Sequence, residues 1–575
     1  MNAHTKIWLG LSLLIGASLR LYFLSTSQWM VEGDEAAVGL QALHILQGER
    51  PIFFPGQTYL GNMESYLVAA LFAAFGASAF TLKLVPLLFA LLFIYLLFQL
   101  GREVLESEFV GLLAAWGAAL APAYVVVWSV KARGGYIEAL VFAQLAWLWV
   151  WRWLRSGDVI ASEAKQSPHH TQKIAPLRWQ TTLAMTLSVN PVGFYLGLIV
   201  GYAVWLNPLT LYILAPLALV ALGRIGVAWR AWRSWLPSLI TLGIGIGIGQ
   251  LPLWLYRLAY GDTLTQFTND VPPPSAWWDL TQQAWQYFWY DGLPTLIGLR
   301  APKEAWHADW RSIVVLIYML AFGWLVLQCA MRHLPCAARN AKTPPPNRQS
   351  SIFNLQSSIT LLLITFCAFP IFLVGSLTSA NFAALIPDSG LLTRFLLPLT
   401  IPLTLVMSAW LASLSRGWRT ITLGILLAVN GWSFSSIEAV AFARNEFANQ
   451  PLPASYADAI DFLQRENVRD VYANHWLGYP LMFEAREAIF AFDHTEAPFG
   501  MERFPVYGQR VKAAPRHALI VFNPRIEPNP IDAKLRSLNI TFRKQELTHV
   551  IIYYNFAPRF EPKMLAEVLQ WPYWD

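Results

Sequence analysis

Four consecutive residues, Glu32-Gly33-Asp34-Glu35, place three carboxylates together in one short stretch of chain. Carboxylates this close can hold a divalent cation or take a proton from a hydroxyl. A solvated acidic turn is the plain alternative, and Gly33 permits the sharp turn that either reading uses. The same stretch continues through Gln57, Tyr59, Asn62 and Glu64, whose polar groups could contact a sugar or could simply cap and orient a surface helix. Farther on, Lys131-Ala132-Arg133-Gly134-Gly135-Tyr136 sets two cations beside glycines that let backbone N–H groups approach a ligand. That pattern suits a phosphate. Snorkelling of both side chains to lipid headgroups is the competing reading. Glu138 could pair with either cation. Arg394, in Thr393-Arg394-Phe395-Leu396-Leu397-Pro398, is a second candidate for phosphate, whereas Arg20 reads as a snorkelling residue.

The elements that would position these residues are membrane spans. Of 575 residues, 56% are hydrophobic and only 13% charged, which excludes an ordinary soluble protein, a disordered chain and a coiled coil. Apolar runs at 7–24, 80–100, 110–128, 137–153, 190–206, 208–223, 236–256, 312–330, 357–378, 395–414 and 419–437 predict about eleven transmembrane helices. Lys and Arg bias places the N-terminus in the cytoplasm, with linkers 154–181 and 331–356 on the same side. The loop 25–79, which carries the acidic cluster, then lies outside. Its apolar run Leu67–Phe75 is too short to span and reads as an interfacial helix ended by Gly76. The net charge of +6 therefore reports orientation rather than a nucleic-acid partner.

Residues 438–575 have an ordinary soluble composition. A helix start at Ser455–Asp458 and strand-like runs at 468–473, 489–492, 518–522, 540–543 and 550–554 predict a small extracytoplasmic α/β domain. His475, His494, His517 and His549 lack metal spacing and read as structural. Cys329, Cys336 and Cys367 form no disulfide framework. Polar stretches 156–180 and 335–350 read as linker inserts, and Gly243, Gly245, Gly247 and Gly249 as a helix-packing stripe. The segment 257–310, with Asp262, Asp270, Trp277-Trp278-Asp279 and Asp291, reads as a lid or as an interfacial aromatic belt.

Asp34-Glu35 just past the first span, the Gly76-containing run before the second, Gly101-Arg102 after it, and Thr393–Pro398 together resemble the GT-C-type glycosyltransferases that use lipid carriers. The nearest likeness is to the superfamily of protein O-mannosyltransferases and aminoarabinose transferases. The resemblance implies inverting transfer from a polyprenyl-phosphate sugar to a hydroxyl acceptor at the outer face of the plasma membrane. Asp34 would be the base and Glu35 its neighbour. Lys131, Arg133 and Arg394 would hold the carrier phosphate, with Glu32, Tyr59, Asn62, Glu64 and Tyr136 against substrate. No cofactor is required; a divalent metal on Asp34 and Glu35 stays open. The His-Pro-Pro that follows the acidic pair in close relatives is absent, and Tyr59-Leu60-Gly61-Asn62 occupies that region. A transporter or flippase, and a non-catalytic surface-binding protein, are the alternatives. Charges clustered in outer loops rather than at mid-bilayer favour the enzyme.

Overall fold

The computed structural model describes residues 1–166, 191–227, 232–261, 273–300, 309–333, 360–362, 364–365, 368–373, 392–436, 452–493, 503–523, 529–565 and 568. The linker at 335–350, most of that at 156–180, Asp262, Asp270, Cys336, Cys367, His494 and the junction at 437–438 lie outside the described residues.

Helix α1 (Ala3–Thr26) starts where the Asn2 side chain accepts the Thr5 N–H. Its 24 residues make a rod of about 36 Å, enough to cross a hydrocarbon core of ~30 Å. The acidic cluster opens α2 (Gly33–Leu46), and a short antiparallel hairpin, β1 (Phe53–Phe54) and β2 (Gln57–Gly61), leads into α3 (Met63–Phe75). Gly76 ends α3 with φ of +83°, a conformation that costs a residue with Cβ. The chain then runs back through α4 (Ala79–Glu103), started by the Ser78 cap.

The third predicted span is two helices, α5 (Glu108–Ala119) and α6 (Ala123–Trp128). Pro122 stands at the break, where it cannot donate the hydrogen bond that would continue α5. Next come α7 (Tyr136–Gln166), α8 (Pro191–Leu206), α9 (Leu211–Val227), α10 (Trp232–Gly249) and α11 (Leu251–Tyr260). Helix α7 runs past the predicted end of its span, and α10 and α11 meet at a 52° bend. After α12 (Trp277–Tyr287) come α13 (Ile313–His333), α14 (Thr400–Ser413) and α15 (Arg416–Ser436). Among the described residues four helices are long and apolar enough to cross a membrane, and five if the bent pair is one span.

Helices α8 and α10 touch through glycine. A Cβ on Gly245 would lie 2.2 Å from the Phe194 carbonyl oxygen, and one on Gly197 would lie 2.1 Å from that of Leu242. Gly201 and Gly249 are equally closed, whereas Gly243 and Gly247 face open space. Only one of the two glycine lines in the stripe is therefore a packing seam. Arg20 does not snorkel. It is fully buried, donates to Ser129 at 2.9 Å, and reaches the carbonyl oxygens of Gly16, Ala118 and Ala119 at 3.1–3.5 Å. It neutralises carbonyls left open at the end of α5.

All five predicted C-terminal strands form: β3 (Asp470–Ala473), β4 (Phe490–Phe492), β5 (Ala518–Phe522), β6 (Thr541–Glu546) and β7 (Val550–Ala557). Their order is β4-β3-β5-β7-β6, parallel among the first three and antiparallel thereafter. Among the described residues four helices accompany them: α16 (Ala457–Arg465), α17 (His475–Glu484), α18 (Pro505–Ala513) and α19 (Pro530–Ser537). One apolar core runs from Ala36, Ala37 and Leu40 of α2 into Trp476, Leu477 and Phe483 of α17. The contact is close because α2 lacks side chains where α17 crosses. A Cβ on Gly33 would lie 2.6 Å from the His475 ring, and one on Gly39 would lie 2.5 Å from that of Phe483. Gly33 thus serves close approach rather than a sharp turn.

The glycine seam gives a paired test. Gly245→Ala should lower the thermal midpoint of the detergent-solubilised protein, because no flexible side chain can yield to the new methyl. Gly247→Ala should leave it unchanged or raise it, by up to ~1 kcal/mol of helix propensity. Scanning fluorimetry reads both, and equal midpoints would contradict the seam.

Candidate active site

The cations singled out in the sequence share one indole. Trp128, at the end of α6, is 1% exposed. Lys131 Nζ lies 5.1 Å from its ring centroid, the Arg133 guanidinium 5.6 Å and the Arg394 guanidinium 6.0 Å. An aromatic face attracts each of them, and Arg133 has a second face in Trp476 at 5.7 Å. Arg394 enters from the 3₁₀ turn Arg394–Leu399 that precedes α14, with Tyr136 5.7 Å away. Tyr136 stands edge-on to Trp128 at 5.1 Å.

The carboxylates of α2 face this group and are buried. Asp34 Oδ2 accepts from Arg133 Nε at 2.9 Å and lies 2.7 Å from Nη2. Asp34 Oδ1 accepts from Arg503 Nη2 at 2.7 Å and lies 3.2 Å from His475 Nε2. Burial alone would raise the Asp34 pKa; the charges of Arg503 and Arg133, helped by His475, hold it well below the usual carboxylate range. Glu35 Oε1 accepts from Lys83 of α4 and from the Ala132 N–H at 2.9 Å, and Oε2 accepts the Glu32 N–H at 3.2 Å. Glu32 lies 3.3 Å from Arg133 and 3.9 Å from Lys131. Every carboxylate of the cluster thus meets a cation, as burial demands.

The remaining candidates divide. Tyr59, on β2, is a phenol whose pKa burial raises, within electrostatic reach of Tyr136, Arg503, Arg394 and Asp34. Asn62 is turned inward, donating to the Pro51 carbonyl at 3.4 Å. Glu64 accepts the Gly135 N–H at 3.2 Å, and burial followed by the nearby Glu138 charge raises its pKa well above the carboxylate range. Glu138 pairs with neither Lys131 nor Arg133. Its carboxylate is buried with no hydrogen-bond partner among the described residues. Trp277 and Trp278 are 45% and 75% exposed, so Trp277-Trp278-Asp279 does not line the cluster.

Sequence reasoning missed Trp128, Lys83, Arg503 and His475. Lys83 sits inside an apolar run, and its unusual place there was the available signal. His475 and Arg503 come from the C-terminal part: His475, in Asn474-His475-Trp476-Leu477-Gly478-Tyr479-Pro480, reads as structural from the sequence, and nothing local marks Arg503. Among the described residues no three His, Cys, Asp or Glu side chains form a metal set. A divalent ion on Asp34 and Glu35 would have to displace Lys83 and two arginines, so the donor set does not fit one.

No protein-family model and no curated protein sequence matches the chain. Solved structures do. ArnT from Cupriavidus metallidurans in the apo state superposes with a TM-score of 0.55 at 12% identity, over 95% of this chain and 98% of that one. Its complex with undecaprenyl phosphate gives 0.54 at 12%, over 96% and 98%. The fold is that of ArnT. It is the GT-C-type fold that the sequence resemblance implied, with several helices long and apolar enough to cross a membrane and a C-terminal mixed sheet. The Archaeoglobus fulgidus oligosaccharyltransferase aligns more loosely, at a TM-score of 0.45 and 13% identity over 96% of this chain and 73% of that one.

Within this ArnT-like fold the far end of α2 is also tied to the C-terminal part. His44 Nε2 lies 2.7 Å from Glu487 Oε1, and the Tyr507 hydroxyl lies 2.8 Å from the same nitrogen. Glu49 is 3.6 Å from His44 Nδ1, and the Phe504 ring stands edge-on at 5.2 Å. Burial opposes the charged imidazole, but hydrogen bonding and charge from Glu487 outweigh it and raise the His44 pKa above 6.5. A raised folded-state pKa gives stability that is complete below 6.5 and is lost as pH rises through the raised value. The thermal midpoint should therefore fall as pH climbs above 6.5, and Glu487→Gln should flatten that slope. An unchanged slope in the variant would show that another group sets it.

Proposed function

We propose that the chain transfers a sugar from a polyprenyl-phosphate donor to a hydroxyl-bearing acceptor (glycan, lipid or protein) at the outer face of the plasma membrane, inverting the anomeric carbon. The gathering of Lys131, Arg133 and Arg394 on Trp128, beside the buried carboxylates of α2, carries this reading. A fold whose ArnT representative was crystallised with undecaprenyl phosphate supports it. The proposed topology has about eleven spans, a cytoplasmic N-terminus and residues 438–575 outside.

The acceptor oxygen attacks the anomeric carbon as the bond from that carbon to the phosphate oxygen breaks. The electron pair leaves with the carrier phosphate, which passes from one negative charge to two. Lys131, Arg133 and Arg394 gain attraction as that charge grows, so they favour the transition state over the bound donor. The acceptor proton goes to Asp34. The polyprenyl tail stays in hydrocarbon while its head reaches the cluster, which is why a transferase is built on spans.

Purified protein incubated with a panel of polyprenyl-phosphate sugars should release polyprenyl phosphate from at least one. Lys131→Ala or Arg133→Ala should impair donor use more than acceptor use, with kcat/KM down by ~10²-fold or more. Asp34→Asn should abolish transfer while the protein still inserts and folds. Release from no donor, or near-normal turnover by Asp34→Asn, would sink the respective assignments. Cysteine labelling of the C-terminus from the cytoplasmic side would overturn the topology.

A further inference from the structure

A base must be free to accept a proton, and Asp34 is not. Both its oxygens are held, one by Arg133 and one by Arg503 with His475 alongside. A carboxylate gripped this way is a poor base until a partner leaves. Resting on the sugar-phosphate reading above, we propose that Arg503, carried by the C-terminal part, is a ligand for the carrier phosphate, and that it rests on Asp34 until the donor arrives. Its transfer to the phosphate releases one oxygen of Asp34 for the acceptor proton.

Four observations converge on Arg503. It is 6% exposed, yet its Nε–H has no partner among the described residues. The Nε–H of Arg394 is in the same condition. Both guanidinium groups, with Asp34, lie within electrostatic reach of the Tyr59 phenol on the hairpin. Lys83, Lys131, Arg133 and Arg503 are buried close to the carboxylates of α2, with Arg394 half-buried beside them, and a guanidinium matches phosphate oxygens in a bidentate fork.

The attachment of Arg503 suits an exchange of partners. Its backbone N–H donates to the Tyr479 hydroxyl at 2.7 Å, which anchors the residue on α17. Apart from Asp34, the only acceptor of its head group among the described residues is the Pro55 carbonyl, at a long 3.4 Å, and it lies over the Phe54 ring at 5.2 Å. The head can turn about its side-chain bonds while the backbone stays fixed. Asp34 and the phosphate then compete for one cation, so removing the Asp34 charge should strengthen phosphate binding even as it ends transfer.

The test measures undecaprenyl phosphate binding to the full-length protein in phosphatidylcholine nanodiscs. Expected are at least tenfold weaker binding for Arg503→Ala, partial recovery for Arg503→Lys, and severalfold tighter binding for Asp34→Asn. The gain of Asp34→Asn should vanish in the double variant with Arg503→Ala. Wild-type affinity in Arg503→Ala, or weakened or unchanged binding in Asp34→Asn, would show that Arg503 merely braces Asp34 and would overturn this inference. If Lys131→Ala still lowers affinity in that case, the sugar-phosphate reading survives it. No binding by the wild type would instead count against that reading. Displacement of the probe by phosphatidylglycerol at equal concentration would assign the cations to a lipid headgroup and also overturn the exchange.

Discussion

The structure turns on a buried ion pair that joins distant parts of the chain. Asp34 opens α2, Arg133 follows the third span, and Arg503 comes from the C-terminal part. None of these groups would be stable alone in so dry a place; leaving a buried charge unpaired typically costs about 3–5 kcal/mol. Each therefore fixes where the others must be. The loop after α1, the turn after α6 and the C-terminal part are tied together through these charges.

Backbone close approach makes that pairing reachable. Gly33 and Gly39 let α17 lie against α2, and Gly197, Gly201, Gly245 and Gly249 let α8 and α10 touch. The first contact brings His475 to Asp34, while the second consolidates the bundle beneath the hairpin that carries Tyr59. Aromatic faces do comparable work for the cations. Trp128 offers one surface to Lys131, Arg133 and Arg394, so three like charges are held near one another by an aromatic face as well as by the carboxylates of α2.

The ends of α2 carry different ties to the C-terminal part: the Asp34 pairing at its start, and the His44, Glu487 and Tyr507 contacts near its end. Between them lies an apolar face shared with Trp476 and Phe483. The helix is thus gripped along its length. That rigidity positions the Asp34 and Glu35 carboxylates far better than a free loop would.

The chain's own pattern determined a great deal. Long apolar runs mark helices because a helix satisfies its own backbone in lipid. Alternation and turn residues mark the five C-terminal strands, whose pairing partners are near in sequence. The acidic triplet and the cations at 131, 133 and 394 were visible because charge is conspicuous in an apolar chain. Other features depended on the three-dimensional surroundings of a side chain. The burial of Arg20 and the failure of Glu138 to reach a cation follow from packing. So does the pairing that keeps Asp34 ionised and occupied. Sequence specifies which groups are charged, but a charge's partner and its pKa are set by what surrounds it in space, and only the tertiary structure brings Arg503 and His475 to Asp34.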